Sequence, residues 1–211
     1  MKKETLIKLA CLIATDGGIY RKRNQIYFDS VDEKLIMTFC ELARKIGIKK
    51  IRVNKGHGTR VAYFYSKKIA EKLSEILNHS KEIPLQHILR LPKENIVEIL
   101  RILFSTDGGV SLSQSKCKKD GKGRFHRKVT FTSANKQNLF AVKKLLECFD
   151  ISSNIVGNDL EIKGKENLEK FKVIGFLEGV KVTRKSKKWC GIEKNELLRI
   201  CLESYRYTYG E

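Results

Sequence analysis

Apolar positions along the first fifth of the chain change period twice. Leu6, Leu9, Ala10 and Ile13 recur at three-and-four spacing, which predicts an amphipathic helix, and Gly17 ends it. Residues 19–23 and 26–30 alternate instead, predicting two short strands around an Asn24-Gln25 turn. Helical spacing returns over 32–46, with Asp32 placed to cap the first turn. A second hairpin is predicted from 50–54 and 60–65 around Gly56-His57-Gly58, and a third helix over 67–77. The order is α-β-β-α-β-β-α.

The same order then starts again. Residues 6–18 read LIKLACLIATDGG and residues 97–109 read VEILRILFSTDGG, so that Asp16 and Asp107 close two equivalent helices. The similarity continues in register: Phe28 matches Phe131, Ser30 matches Ser133, Leu42 matches Leu145 and Ile48 matches Ile151. In the second copy the helix starts after Pro92, a residue suited to a first turn. Strands follow near 109–115 and 127–133, a helix at 135–149, a hairpin turning at Gly157-Asn158 and a helix at 166–175. The pattern gives an N-terminal half 1–90, a C-terminal half 91–182 and a basic extension 183–211 with an amphipathic helix at 193–204.

Charge narrows the partners. The chain has 211 residues, 41% of them hydrophobic, enough for a packed core. Its 43 basic and 24 acidic residues leave a net charge of +19. A thermophile-style charged surface tends to balance Lys with Glu, so an excess this large points to a polyanion, and nucleic acid is the usual one. The glycine-rich basic stretch 116–128 is expected to be a mobile loop reaching over phosphates. No apolar run approaches the ~20 residues that cross a bilayer. Met1-Lys2-Lys3-Glu4 leads into no signal-peptide core, so a soluble protein of the cytoplasm, with no membrane partner, is expected. Cysteines 11, 40, 117, 148, 190 and 201 and histidines 57, 79, 87 and 126 lack the paired spacing of a zinc site. The cysteines read as small buried hydrophobes in a reducing compartment.

The repeated helix carries a family resemblance. Leu9-Ala10-Cys11-Leu12-Ile13-Ala14-Thr15-Asp16-Gly17 is similar to the LAGLIDADG motif, and Ile99 to Gly108 resembles its FLRGLFDADG form. Ile83-Pro84, Leu91-Pro92 and the strand ends at 28–32 and 131–135 also resemble the two-motif, single-chain LAGLIDADG homing endonucleases, over roughly residues 5–182. Such a resemblance implies an α+β fold of two pseudo-twofold-related αββαββα halves, forming a saddle-shaped antiparallel sheet over DNA. It departs from the family at Ala14 and Ser105, where the first acid is missing. It departs again at Cys11 and Ile102, where a small residue lets the helices approach.

The resemblance implies a monomer that cuts double-stranded DNA at a long asymmetric site and leaves short 3′ overhangs. Asp16 and Asp107 would be the catalytic and metal-binding acids, helped by the backbone carbonyls of Thr15 and Thr106. Crowded carboxylates call for cations, and hard oxygen ligands suit Mg²⁺ or a similar ion such as Mn²⁺. An Asp-Gly turn after a helix is the alternative reading of each acid taken alone. Lys81 and Lys181 match the family's lysine near the active centre, and Asp32 and Asn135 its polar flanking residue, with helix capping as their competing role. Counting alternation from the acid puts Tyr20, Lys22 and Asn24 on the DNA-facing side in half one, with Ser111 and Ser113 as counterparts. Arg52, Asn54, Lys128, Thr130 and Thr132 are further DNA-binding candidates. The competing class is a catalytically silent LAGLIDADG binder, either an RNA maturase on structured intron RNA or a DNA-binding regulator.

Overall fold

The computed structural model describes residues 3–56, 58–116, 123–183 and 186–206. The chain divides into two compact units between Thr106 and Asp107. The sequence copies meet earlier, near residue 90, because the second motif helix packs within the first unit.

In the first unit, α1 (Lys3–Asp16) runs straight into β1 (Gly17–Tyr20). It is followed by β2 (Gln25–Ser30), α2 (Glu33–Lys45), β3 (Arg52–Lys55), β4 (Arg60–Tyr65), α3 (Lys67–Ile76), the one-turn α4 (Leu85–Ile88) and α5 (Lys93–Asp107). The strands form one antiparallel sheet in the order β1-β2-β4-β3. Ile26, Phe28, Ala62 and Phe64 alternate onto its inner face and pack with Phe39 of α2, whose ring lies 5.7 Å from that of Phe28. Ile7 and Leu9–Leu12 are completely buried, so α1 is a core element on every side rather than an amphipathic surface helix. Ile99, Leu100, Leu103 and Phe104 of α5 are equally buried, and Lys8 pairs with Glu98. Both departures from the motif are accommodated in this core: Cys11 and Ile102 are buried, as are Ala14 and Ser105.

The second unit repeats the sheet with its own elements. They are β5 (Gly108–Lys116), β6 (Gly123–Thr132), α6 (Lys136–Glu147), β7 (Asn154–Val156), β8 (Asp159–Lys163), α7 (Lys165–Ile174) and α8 (Lys194–Glu203). The order β5-β6-β8-β7 reproduces the first sheet. Val129, Phe131, Leu160 and Ile162 are its fully buried inner row. The helix expected at 193–204 is α8, and it buries Leu197, Leu198 and Cys201.

Three expectations change. The first hairpin does not turn at two residues: β1 stops at Tyr20, Arg21–Arg23 form a single 3-10 turn, and Asn24 closes it in the left-handed region at φ 51°. Much of the basic stretch 116–128 is not a loop either. Residues 117–122 lie outside the described residues, while β6 begins at Gly123, and Arg127 is spent on packing. Its guanidinium donates to Ser204 Oγ at 2.7 Å and to the Ser204 carbonyl at 2.6 Å, and lies against the rings of Phe125 and Tyr205. Finally, the cysteines are not uniformly buried: Cys11, Cys40 and Cys201 are, but Cys148 is half-buried and Cys190 exposed. Among the described residues, no helix is long and apolar enough to cross a membrane.

Candidate nucleic-acid interface

Each motif helix ends on its aspartate, and the next residue begins an edge strand. Asp16 closes α1 and Gly17 opens β1; Asp107 closes α5 and Gly108 opens β5. The turn is tight, since a Cβ on Gly17 would sit 2.7 Å from the Tyr27 carbonyl oxygen and 2.8 Å from Ile13 Cα. A carboxylate at a helix C-terminus opposes the helix dipole by ~0.3–1 kcal/mol. Neither helix carries a basic residue in its last turn to offset this. The two ends are therefore unfavourable places for an acid on stability grounds and favourable places for a cation.

The donor sets can be tested against that cation. Asp16 is exposed and Asp107 half-buried. The Thr15 and Thr106 hydroxyls turn back into their helices, donating to the Leu12 carbonyl at 2.9 Å and the Leu103 carbonyl at 2.8 Å. Only the threonine main-chain carbonyls can then serve as ligands, and the carbonyls of a last helical turn lack a helical partner. Among the described residues no group of three or more His, Cys, Asp or Glu is placed to hold a metal by itself. The set at α1 (one carboxylate and main-chain oxygens) fits a hard ion that keeps most of its waters or takes phosphate oxygens. The set at α5 is of the same kind, and two residues beyond Thr106, Lys194 Nζ donates to the Gly108 carbonyl at 2.7 Å. Lys194 is only 6% exposed, so a buried cation already stands one residue from Asp107.

The sequence did not point to Lys194, which lies 86 positions from Gly108 in a segment outside the repeat. It pointed to Lys181, which is exposed but forms a β-bridge to Glu193, the residue just before Lys194. Lys81 is also exposed. Asp32 and Asn135 cap α2 and α6, accepting from the Lys34 and Gln137 amides at 2.8 and 2.9 Å.

The open faces follow from strand register. In the first sheet Tyr20, Gln25, Tyr27, Asp29, Val61, Tyr63, Tyr65, Arg52 and Asn54 share the face opposite the helices. Tyr20, Arg52 and Asn54 thus lie on the open face. Lys22 and Asn24 are not, because both fall in the 3-10 turn and its left-handed cap rather than on the strand. Alternation could have found the missed tyrosines, since Tyr27, Tyr63 and Tyr65 lie out of phase with the buried Ile26, Phe28, Ala62 and Phe64. In the second sheet Ser111, Ser113, His126, Lys128, Thr130 and Thr132 all lie on the open face, with Asp159, Glu161 and Lys163. Glu161 pairs with both Lys128 and Lys163, and these two hydrogen bonds hold its carboxyl below the usual carboxylate range. Thr132 donates to Asp159 at 2.6 Å, and Thr130 to the Gly109 carbonyl at 3.5 Å.

Two copies of a helix that delivers an acid to an open-faced four-stranded sheet define the class. The family model for a LAGLIDADG-like domain matches residues 4–97 and again 94–181, and the chain belongs to this family. A comparison with curated protein sequences finds no match. Among solved structures, the chain is similar to I-DmoI in complex with DNA and Ca, at 18% identity and a TM-score of 0.58, covering 81% of this chain and 88% of that one. The complex of I-DmoI with DNA and Mn matches at 18% identity and the same TM-score of 0.58, covering 82% of this chain and 96% of that one. Full-length DUF199/WhiA from Thermatoga maritima is similar at 18% identity with a TM-score of 0.56, over 99% of this chain and 62% of the other. At these identities the likeness is one of fold.

Proposed function

We propose that this protein binds double-stranded DNA at a long asymmetric site, each sheet reading one half, and hydrolyses it with a divalent cation. The observation that carries the reading is the continuity of acid and open face. Asp16 and Asp107 each stand at the first residue of a sheet whose outer side is lined with polar and aromatic side chains at every second position. A carboxylate beside phosphates weakens binding unless a cation joins it, so a pure binder gains nothing from two of them. The homing endonuclease I-DmoI, of the same fold, holds DNA with Ca or with Mn, which supports a divalent ion here. When bound, Mg²⁺ or Mn²⁺ would polarise the scissile phosphate and supply an activated water.

The protein's own part is positional. The two helix ends fix the carboxylates, and the basic surface, net +19, draws the duplex in. Tyr20, Arg52 and Asn54 in one half and Ser111, Ser113, Lys128, Thr130 and Thr132 in the other present donors and acceptors to base edges. Their non-matching chemistry requires a non-palindromic target.

A second reading, binding without cutting, is favoured by one observation, the buried ammonium of Lys194 on the carbonyl of Gly108, the residue after Asp107. Selection of bound duplexes from a randomised library, followed by addition of Mg²⁺ and sequencing of the ends, separates the two. One enriched long site cut with 3′ overhangs supports the endonuclease. The same site recovered uncut supports the silent binder, and recovery of no duplex overturns both.

A further inference from the structure

The first hairpin of the second sheet outruns its counterpart in the first. β1 and β2 pair from Gly17↔Phe28 to Tyr20↔Gln25, where the 3-10 turn Arg21–Arg23 reverses the chain. The equivalent pairs of β5 and β6 run from Gly108↔Phe131 to Ser111↔Lys128, and the ladder then continues from Leu112↔Arg127 to Lys116↔Gly123. At ~3.4 Å per residue, the continuation adds about 17 Å. β8 pairs with β6 from Thr132 back to Lys128, so beyond Lys128 the described residues form a two-stranded ribbon. Such a ribbon is marginal in water unless something packs behind it.

The C-terminal segment supplies that packing. Asn195 fastens it to the end of α7: its Oδ1 accepts from the Phe176 amide at 2.8 Å, and its Nδ2 donates to the Phe176 carbonyl at 3.0 Å. From this base the segment covers the edge strand β5. Lys194 Nζ donates to the Gly108 carbonyl at 2.7 Å, and Trp189 Nε1 to the Leu112 carbonyl at 3.1 Å. Behind the ribbon, α8 leads into Ser204, which takes both hydrogen bonds of the Arg127 guanidinium. The rings of Phe125 and Tyr205 lie 4.5 and 4.3 Å from the same group. Leu112, Phe125 and Arg127 share this inner side, and Ser113, Ser115 and His126 are exposed on the other. There Ser115 Oγ and His126 Nε2 are hydrogen-bonded at 2.7 Å.

We propose that the C-terminal segment is a positioning element for target recognition, holding the β5–β6 ribbon so that Ser115 and His126 read base pairs at the outer end of one half-site. This rests on the reading that each sheet faces duplex DNA, and it concerns recognition whether or not the chain cuts. β5 leads away from Asp107, so its far end meets pairs more distant from the acid, and about 17 Å spans roughly five base-pair steps. The hydroxyl and imidazole offer a donor and an acceptor to base edges. Arg127 and Trp189, on the side away from DNA, act through the ribbon's position: ordering it beforehand removes a cost that binding would otherwise bear.

The test is selection from the randomised duplex library by the full chain, with base preference read position by position, and hydrogen exchange of the free protein beside it. Wild type should show preferences reaching about five base pairs further in one half-site than in the other. His126→Ala should flatten those outer preferences about 10-fold. Arg127→Met and Trp189→Phe should flatten the same positions about 3-fold, leave the inner ones unchanged, and speed exchange in the ribbon relative to β7 and β8. Trp189→Phe keeps a ring and carries the test if Arg127→Met does not fold. Val142→Ala, a change in the buried face of α6, should lower stability without altering the profile, which separates positioning from general destabilisation. Equal reach in the two half-sites overturns the proposal, as does a profile that Arg127→Met and Trp189→Phe leave unchanged or weaken evenly. Recovery of no duplex by wild type overturns the duplex reading itself, a failure distinct from these.

Discussion

The two open faces are built on the same strand order and have almost no chemistry in common. The first is aromatic. Tyr20 and Tyr65 are each about half exposed, Tyr63 meets Tyr65 edge-on with ring centres 5.8 Å apart, and Arg23 stands 5.7 Å from the Tyr20 ring. A Cβ on Gly18 would strike the Tyr27 hydroxyl at 2.6 Å, so that ring lies across the glycine. The second face has hydroxyls and ion pairs, and a Cβ on Gly109, the counterpart of Gly18, would meet nothing within 4 Å. Behind both faces, the buried rows centred on Phe28 and Phe131 are equivalent. Duplication kept what the helices touch and released what faces outward, as expected if the inner rows specify the fold and the outer rows specify the target.

The largest expected effect breaks the symmetry at the helix ends. Asp16→Asn should lower metal-dependent cleavage by at least about 100-fold, the scale of losing one centre of transition-state charge stabilisation, while duplex affinity holds or rises slightly. Gel-shift and cleavage assays on one substrate separate the two effects.

Next in size is a stability difference confined to the second unit. Arg127→Ala removes two hydrogen bonds to Ser204 and contacts with two rings, and should cost about 2–3 kcal/mol in urea unfolding. No open-face residue of the first sheet should cost as much, because none described there ties down a distant segment.

The faces themselves should respond unequally. Tyr20→Ala or Tyr65→Ala removes a large exposed ring and is expected to weaken binding of the selected duplex about 10-fold, within the ~1–3 kcal/mol range of a good base contact. Ser111→Ala or Ser113→Ala removes a single hydroxyl and should weaken it about 3-fold or less. Equal losses on the two faces would erase the distinction drawn between them.

The last contrast is a pH dependence. Glu161 is held ionised by Lys128 and Lys163, so its folded pKa lies below the unfolded value of about 4.3. The stability it contributes is fully present above that value and is lost as pH falls through the folded one. Thermal unfolding of wild type should therefore lose more stability than Glu161→Gln between pH 6 and pH 3.

Most of the architecture was legible because its signal is periodic. The paired Thr-Asp-Gly-Gly segments located both motif helices, and Phe28 and Phe131 fixed the inner phase of both sheets. What escaped were features decided by tertiary contact or by local turn chemistry. Lys22 and Asn24 were counted onto a strand that ends at Tyr20, because alternation carries no information about a 3-10 turn. Arg127 looked like a phosphate ligand in a basic run, yet its partners Ser204 and Tyr205 are 77 or more residues away. Lys194 was hidden for the same reason: nothing in its sequence neighbourhood distinguishes it from the other lysines, and its partner Gly108 lies 86 positions away.

The account turns on whether the acid that ends α1 does metal-dependent chemistry on DNA. The direct measurement is single-turnover cleavage of the selected duplex in Mg²⁺, comparing wild type with Asp16→Asn at matched DNA occupancy. The account predicts cleavage by wild type, none in EDTA, and at least a 100-fold loss in the variant with binding retained. Tight binding by both proteins with no cleavage by either would contradict it.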